Sequence, residues 1–527
     1  MVNINHKKFD SKNEYPVDIF GIKKLGITAW LDDYYIPVTG REYKIIYDNI
    51  MAIYIESLCI QAGNDRYYLL GVSNIKIASL MAHEVFNRLK LIRLKEDGYD
   101  SIIGKKKEKI DDIDFKLNKD IFDSLKPKKP SKINRVKQYI RVVFYFFKAA
   151  FMYRYKKRTI CYNFGFSPDN MKAYISENNM VAGYFYPSLL LDNDRVFKCD
   201  NDLTNATNQF VSKVIKRYDC LNKDKVFFID EIDEIFQKSN DYLLKNLKFI
   251  KKHKLGTLLA IGLGSPLHRA LVSAWRLSGQ KVIGFSHGNS YATPFNNSLI
   301  EHDGLSIASE VIALSKGQKM ILQKMIDIYP YKLKMAKMSV INNSHYKKLF
   351  NQLQKTNKVR KIKKVMLIGF PMNSFMYPSI PSNHSFSNLK LELDIVKCLK
   401  AYGYEVVYKA HPDRLNEISR VFDGRVDEIL TDPFEEVYDS VDCVIFGHSS
   451  TTTFGFSLLT NKPMVLITTK DISWYSDTKI LLEKRCRIIN AEVNDNDEII
   501  FDESKLKQAI DNSVNQINYE IVRKYAF

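Results

Sequence analysis

"GTLLAIGLGSPLHRALVSAWRLSGQKVIGFSHG", residues 256–288, decides the fold class. Leu258–Ile261 is a short buried strand in its residue types, all apolar and bounded by glycine. Ser265 is a good N-cap, and Pro266 suits the first helical turn because its missing N–H would be unbonded there anyway. Leu267, Ala270, Leu271, Ala274 and Leu277 then recur at helical spacing, and Gly279 closes the helix. Val282–Phe285 is the next strand. Strand, helix and strand in direct succession make a β-α-β unit, and such units build parallel sheets.

The second half repeats this grammar. "KKVMLIGF" (363–370) reads as a strand, Leu389–Tyr402 as a helix ended by Gly403, and Tyr404–Lys409 as a strand. In "TDPFEEV" (431–437), Asp432 caps, Pro433 opens and Glu435 completes a capping-box pattern. "VDCVIF" (441–446) is another strand, "SSTTTFGFSLLT" (449–460) opens a helix, and "PMVLIT" (463–468) follows as a strand. "NQLQKTNKVRK" (351–361) is polar and apolar-poor, the composition of a linker. The expected organisation is an α/β chain of two Rossmann-like parallel-sheet domains facing a cleft. The first spans 1–350, with a basic helical insertion near 124–160, and the second spans 362–527.

Bulk properties bound the class. A chain of 527 residues is too long for one core, and 45% hydrophobic residues with 12% aromatics exclude disorder over most of it. Seven scattered cysteines, never spaced as CxxC, argue against a disulfide framework and a zinc ribbon, and for a reducing cytoplasm. "MVNINHKKFDSKNEY" (1–15) lacks the apolar core of a signal peptide. No apolar run approaches the roughly 20 residues that cross a bilayer. The expected location is the cytoplasm, with a peripheral place at the inner face of the plasma membrane as an option.

Three strand ends carry unusual residues: "SHGNSY" (286–291), "KAHPD" (409–413) and "GHSSTTTFG" (447–455). Carboxyl ends of strands are where open α/β sheets hold ligands. In the last stretch, Ser449, Ser450, Thr451 and Thr452 stand beside the free amides of a new helix, a natural anion site. The plain alternative is an N-cap among polar turn residues. "KAHP" at the end of an earlier strand of the same sheet favours the phosphate cradle, with Lys409, His411 and Pro412 beside it.

"KAHPD" followed by "SSTTTFGFSLLTNKP" resembles the HP and S/T motifs of bacterial surface-polysaccharide transferases with a GT-B fold. Sialyl- and polysialyltransferases, Kdo transferases of capsule export and teichoic-acid glycerophosphotransferases share that pattern. "SPLHRALVSAWRLSGQKVIGFSHGNSYATPF" resembles their companion motif, a strand ending in His-Gly in the amino-terminal domain. The resemblance covers roughly residues 255–470. It implies a nucleotide-sugar donor on the carboxyl-terminal domain and a glycan or lipid-linked glycan acceptor on the other. It also places His411 and the Ser/Thr hydroxyls at the donor phosphate.

A protonated or donating His411 would neutralise charge on a departing phosphate, and the other reading is a histidine satisfied by a neighbouring carbonyl. His287 is the candidate general base, with Gly288 allowing close backbone approach; otherwise it only shapes its loop. Glu231, in "IDEIDEIF" (229–236), is a second acidic candidate, against the reading of a solvated acidic helix start. Related sequences often carry a glutamate just after the S/T run, whereas Phe454, Gly455 and Phe456 stand here, which leaves the nucleotide open. No Asp-x-Asp lies in a suitable loop and no His/Cys cluster has ligand spacing, so no metal is expected. "GLGSP" (262–266) is too short for a dinucleotide fingerprint, and no cofactor is expected beyond the donor as co-substrate.

A CMP-linked acidic sugar of the Kdo or sialic acid type is the first choice of donor. A CDP-glycerol or ribitol phosphotransferase is the rival enzyme, and a non-catalytic glycan- or lipid-binding protein is a third class. Nucleotide-sugar 2-epimerases share the fold.

Net charge is +19, and residues 124–160 hold twelve Lys or Arg and no acid. Within 131–158, Ile140, Phe144, Phe147 and Phe151 form a helical stripe edged by Lys137, Arg141 and Lys148. That pattern fits an anionic membrane surface or a core-facing helix with a solvated flank. No nucleic-acid-binding module accompanies it, so nucleic acid is not an expected partner.

Overall fold

The computed structural model describes residues 40–60, 64–89 without 80, 83, 86 and 87, 159–162, 169–185 without 179 and 181, 199–261 without 254, 266–285, 304–341 without 332, 344–354, 361–370, 382–469 without 450, and 474–527 without 495–497. The expected membrane stretch 131–158 lies outside them, as do His287, Gly288 and Ser450.

Two sheets organise the described chain, as the α/β reading expects. The first has the order β2-β1-β3-β4-β5-β6 and is parallel throughout. Its strands are β1 Thr159–Tyr162, β2 Ala182–Phe185, β3 Thr257–Ile261, β4 Val282–Phe285, β5 Glu310–Ala313 and β6 Lys337–Val340. Strands β4 and β5 are buried along their whole length, which suits a parallel sheet covered on both faces. The expected insertion ends inside this sheet, because Thr159 and Ile160 already belong to β1.

Helices α1 (Gly40–Tyr54) and α2 (Asp65–Ser73) form a helical layer with α4 (Asn201–Arg217) and α5 (Lys225–His253), while α3 (Asp169–Glu177) follows β1. Helix α6 (Pro266–Leu277) starts at Pro266 as expected and packs on α2 and α5. It buries Ala270, Leu271, Ala274 and Trp275, and Gly279 ends it at φ 79°, where a Cβ would be strained.

The second sheet has the order β13-β12-β11-β10-β7-β8-β9, parallel except for the β12–β13 edge. Its strands are β7 Lys364–Ile368, β8 Glu405–Lys409, β9 Glu428–Leu430, β10 Cys443–Phe446, β11 Met464–Thr469, β12 Arg487–Val493 and β13 Ile499–Ile500. Alternate residues serve two cores. Val365, Leu367, Val406, Tyr408, Val465 and Ile467 face one, and Met366, Ile368, Val407, Met464 and Leu466 face the other.

Three local expectations need correction. Helix α8 (Ser344–Leu353) runs into the stretch expected as linker. Helix α9 spans Ser382–Ala401 and so begins well before Leu389, because the polar run 382–388 has no apolar period to announce it. Asp432 does not cap: helix α11 (Phe434–Val437), which follows α10 (Leu415–Phe422), has Pro433 at its N-cap, with no side-chain capping bond.

The chain finally returns to the first sheet. Helix α7 (Lys316–Asp327) follows β5, and its N-cap Ser315 accepts from the Gln318 N–H at 3.0 Å. The same hydroxyl donates to the Tyr525 carbonyl at 2.6 Å, in the terminal helix Glu520–Tyr525. Tyr525 in turn bonds Thr478 and Asp477 of the second half, and Lys524 pairs with Asp477 at 3.0 Å. Gly317 makes this approach possible. A Cβ there would land on the Lys524 carbonyl oxygen and lie 2.7 Å from the Tyr525 ring. Gly317→Ala should therefore dislodge the terminal helix. Limited proteolysis should cut the variant after Ser513 faster than the wild type, and equal rates would show that the helix can shift without cost.

Candidate functional site

Strands β7, β8 and β9 progress to one side of the second sheet, and β10, β11 and β12 to the other. The switch point thus falls between β7 and β10, and the crevice outside their carboxyl ends is where such sheets bind ligands. Two motif segments converge there. The S/T segment leaves β10 directly at the switch, and the HP turn leaves β8, the neighbour of β7.

The β10 end carries Gly447, His448 and Ser449 into helix α12, Thr452–Leu459. Thr451 is its N-cap: its Oγ1 accepts the Phe454 N–H at 3.0 Å. The N-cap alternative thus holds for Thr451, and its hydroxyl proton remains to donate to a ligand. Thr452 is exposed in the first turn. Ser449 differs from both. It is 3% exposed, and its hydroxyl has no hydrogen-bond partner among the described residues. An orphaned buried hydroxyl costs roughly 1–3 kcal/mol, so it calls for an explanation.

The opposite end of α12 is held by a cation. Arg485, fully buried, donates to the carbonyls of Ser457, Leu458, Thr460 and Lys462 at 2.7–3.2 Å. A guanidinium at a helix C-terminus satisfies carbonyls the helix cannot, and it complements the macrodipole. The first-turn amides of α12 are therefore fixed in direction.

The HP turn is fixed by a buried ion pair. Pro412–Arg414 form a 3-10 turn, in which the Arg414 N–H donates to the His411 carbonyl at 3.0 Å. Arg414 Nη1 bonds both Glu392 oxygens at 3.0 and 3.2 Å and the Phe370 carbonyl at 3.0 Å. Glu392 also accepts from the Tyr408 hydroxyl at 3.0 Å and from the Phe370 N–H. Burial, reinforced by this carboxylate, pushes the Tyr408 phenol well above its ordinary value. His411 stands half-buried at the start of the turn and Pro412 is exposed.

Gly369 completes the close packing. Its N–H donates to the Lys409 carbonyl at 3.0 Å, and a Cβ there would collide with the Tyr408 hydroxyl. Phe370 and His448 then meet across the switch, with ring centroids 5.3 Å apart and planes at 81°. Lys409 is buried and donates to the Ala410 carbonyl at 2.7 Å. Burial lowers its pKa, against the pull of Glu435 and Asp432.

The structure thus places Lys409, His411 and Pro412 at the end of β8 and Ser449, Thr451 and Thr452 past the end of β10, on either side of β7 in one sheet. Glu231 is elsewhere, half-buried in the second turn of α5, so it is not at a helix start. Near the first sheet, His268 lies in the first turn of α6, and burial pushes its imidazole down to about 3. Sequence reasoning passed over Glu392, Arg414, His448 and His268. His448 stood within a quoted motif, but its packing partner Phe370 is distant in sequence.

If the Glu392–Arg414 pair is the anchor, Arg414→Met should destabilise by about 3–5 kcal/mol, because it strands a buried carboxylate. Arg414→Met with Glu392→Met should recover much of that loss. Urea midpoints decide it, and a double variant no better than the single one would contradict the anchor.

No family model and no curated protein matches the chain. Among solved structures it is similar to the UDP-GlcNAc 2-epimerase of Methanocaldococcus jannaschii, determined with UDP-GlcNAc and UDP. That match has 13% identity and a TM-score of 0.38, over 69% of this chain and 97% of the other. It is also similar to the glycosyltransferase SsfS6 of Streptomyces sp. SF2575, complexed with thymidine diphosphate, at 11% identity and a TM-score of 0.30. There the match covers 70% of this chain and 94% of the other. At such scores neither likeness assigns a ligand or a reaction to this chain.

Proposed function

We propose that the chain is a GT-B-like, metal-independent glycosyltransferase of bacterial surface-polysaccharide assembly, acting on a nucleotide-activated sugar. The donor nucleotide binds in the switch crevice of the second sheet. The observation that carries this is the buried Ser449 hydroxyl, which has no hydrogen-bond partner among the described residues and stands two residues before the N-cap of α12. A phosphate oxygen would supply its missing partner and meet the positive end of the helix dipole at once.

Each residue has one task in this reading. The α12 amides and the Ser449 hydroxyl, with Ser450 and the Thr451 proton, hold the phosphate. His411, held by the Arg414 turn, stabilises the negative charge that builds on that phosphate as the sugar–oxygen bond breaks. His287, with Gly288 beside it, takes the proton of the acceptor hydroxyl as that oxygen attacks the anomeric carbon. The donor of first choice is a CMP-linked acidic sugar. The acceptor is a glycan, lipid-linked where the basic stretch 131–158 docks on an anionic leaflet.

A thermal-shift panel of CMP, CDP, UDP and GDP tests the nucleotide directly, because a bound ligand raises the melting point by mass action. The cytidine nucleotides should stabilise the chain most, and no shift with any of the four would refute the reading. Phosphorus in the polymer product would point instead to the CDP-polyol reaction, since a glycosyl transfer leaves the phosphate on the nucleotide.

His411→Ala should lower turnover about a hundredfold or more while nucleotide still binds and the fold survives. Turnover within fivefold of the wild type would remove His411 from the mechanism.

A further inference from the structure

A second hydroxyl shares the predicament of Ser449. Thr468 lies at the carboxyl end of β11 (Met464–Thr469), is 6% exposed, and its Oγ1 has no hydrogen-bond partner among the described residues. Its backbone is accounted for, since β11 pairs with β12 at Thr468 and Asn490. The hydroxyl alone is left over.

Strand geometry gives its direction. Side chains alternate along β11, so Thr468 shares a face with Met464 and Leu466. Those two belong to the same core as Phe454, Phe456, Leu458 and Leu459 of α12, so this is the face that α12 covers. Strands β10 and β11 pair at Phe446 and Leu466. Continuing that register two residues sets Thr468 beside His448, next to Ser449. Two orphaned hydroxyls therefore stand at adjacent strand ends, Thr468 on the α12 face of the sheet and Ser449 two residues before the N-cap of that helix. An interior hydroxyl with no partner is destabilising, and a valine of nearly the same shape would remove the cost.

We propose that Thr468 is a further phosphate-binding residue, whose hydroxyl donates to the nucleotide phosphate held by Ser449 and the α12 amides. This rests on the nucleotide reading of the switch crevice. It adds a strand that no motif marks, and it makes the cradle span β10 and β11 rather than one helix start.

The experiment uses the full chain with CMP, CDP and UDP, by calorimetry and by melting without ligand. Thr468→Val should melt at or above the wild-type temperature in the absence of nucleotide, because it deletes an unsatisfied polar group. It should bind the preferred nucleotide at least about tenfold more weakly, the loss expected of one hydrogen bond to a charged acceptor. Thr468→Ser, which keeps the hydroxyl, should retain affinity within about threefold. A structural threonine would give the opposite pattern, lower melting with unchanged affinity, and that result overturns the assignment. Wild-type binding that Thr468→Val leaves intact overturns it as well, while the nucleotide reading stands. A wild-type chain that binds none of the three nucleotides overturns both.

Discussion

The Glu392 carboxylate is the point on which the second sheet's ligand edge depends. Taking a carboxylate and a guanidinium out of water costs several kcal/mol per ion, and the attraction between them offsets this only with full hydrogen bonding. Here Glu392 and its Arg414 partner are almost wholly inaccessible, and the carboxylate also accepts from Tyr408 and Phe370. The carboxylate on α9 takes its three donors from three other segments: Tyr408 in β8, Phe370 past the end of β7, and Arg414 in the HP turn. None can move alone without stranding charge. The result is a stiff corner where the backbone of His411 is defined by a turn whose third residue is pinned in the interior.

The other side of the switch is stiffened differently. Helix α12 is short, and a short helix contributes little directional order by itself. Burial of Phe454, Phe456, Leu458 and Leu459 fixes its axis, and Arg485 fixes its C-terminus through four carbonyls. An anion site built from amides is only as well defined as the helix that presents them, so Arg485 acts on the candidate site from its far end. Phe370 and His448 join the two stiffened sides by ring contact.

How much of this was legible follows from which forces are local. Strands β3, β4, β7, β8, β10 and β11 announced themselves because strands buried on both faces are continuous apolar runs. The starts of α6 and α12 were marked by Pro266 and by the Ser/Thr cluster, whose capping chemistry acts within a few residues. Strands β1, β2, β5 and β6 were not read, although β4 and β10, also four residues long, were found through the helices that adjoin them in the two motif stretches. The Glu392–Arg414 pair was missed because 22 residues and a whole strand separate its members in the chain. Asp432 misled because its capping pattern is genuine in sequence, while the segment enters its turn through Pro433 instead. The candidate site was half legible. Hydroxyls clustered at a helix start can be read from sequence, but that Ser449 and Thr468 are both buried and without a partner among the described residues is a property of packing alone.

The fastening of Ser315 and Gly317 to Lys524 and Tyr525 has a bearing on how the chain is made. Ser315 and Tyr525 are 210 residues apart. A ribosome adding about 5–20 residues per second needs on the order of 10–40 s to produce that interval. For that time α7 exists without the backbone that closes over Gly317, and the apolar surface it shares with Tyr525 and Ala526 stays open. Contacts of such long sequence separation also form slowly once the chain is complete, since a large loop must close before they are rewarded. The first sheet is thus early in synthesis but late in completion, and the nascent protein must keep that face from unwanted partners until the helix Glu520–Tyr525 arrives.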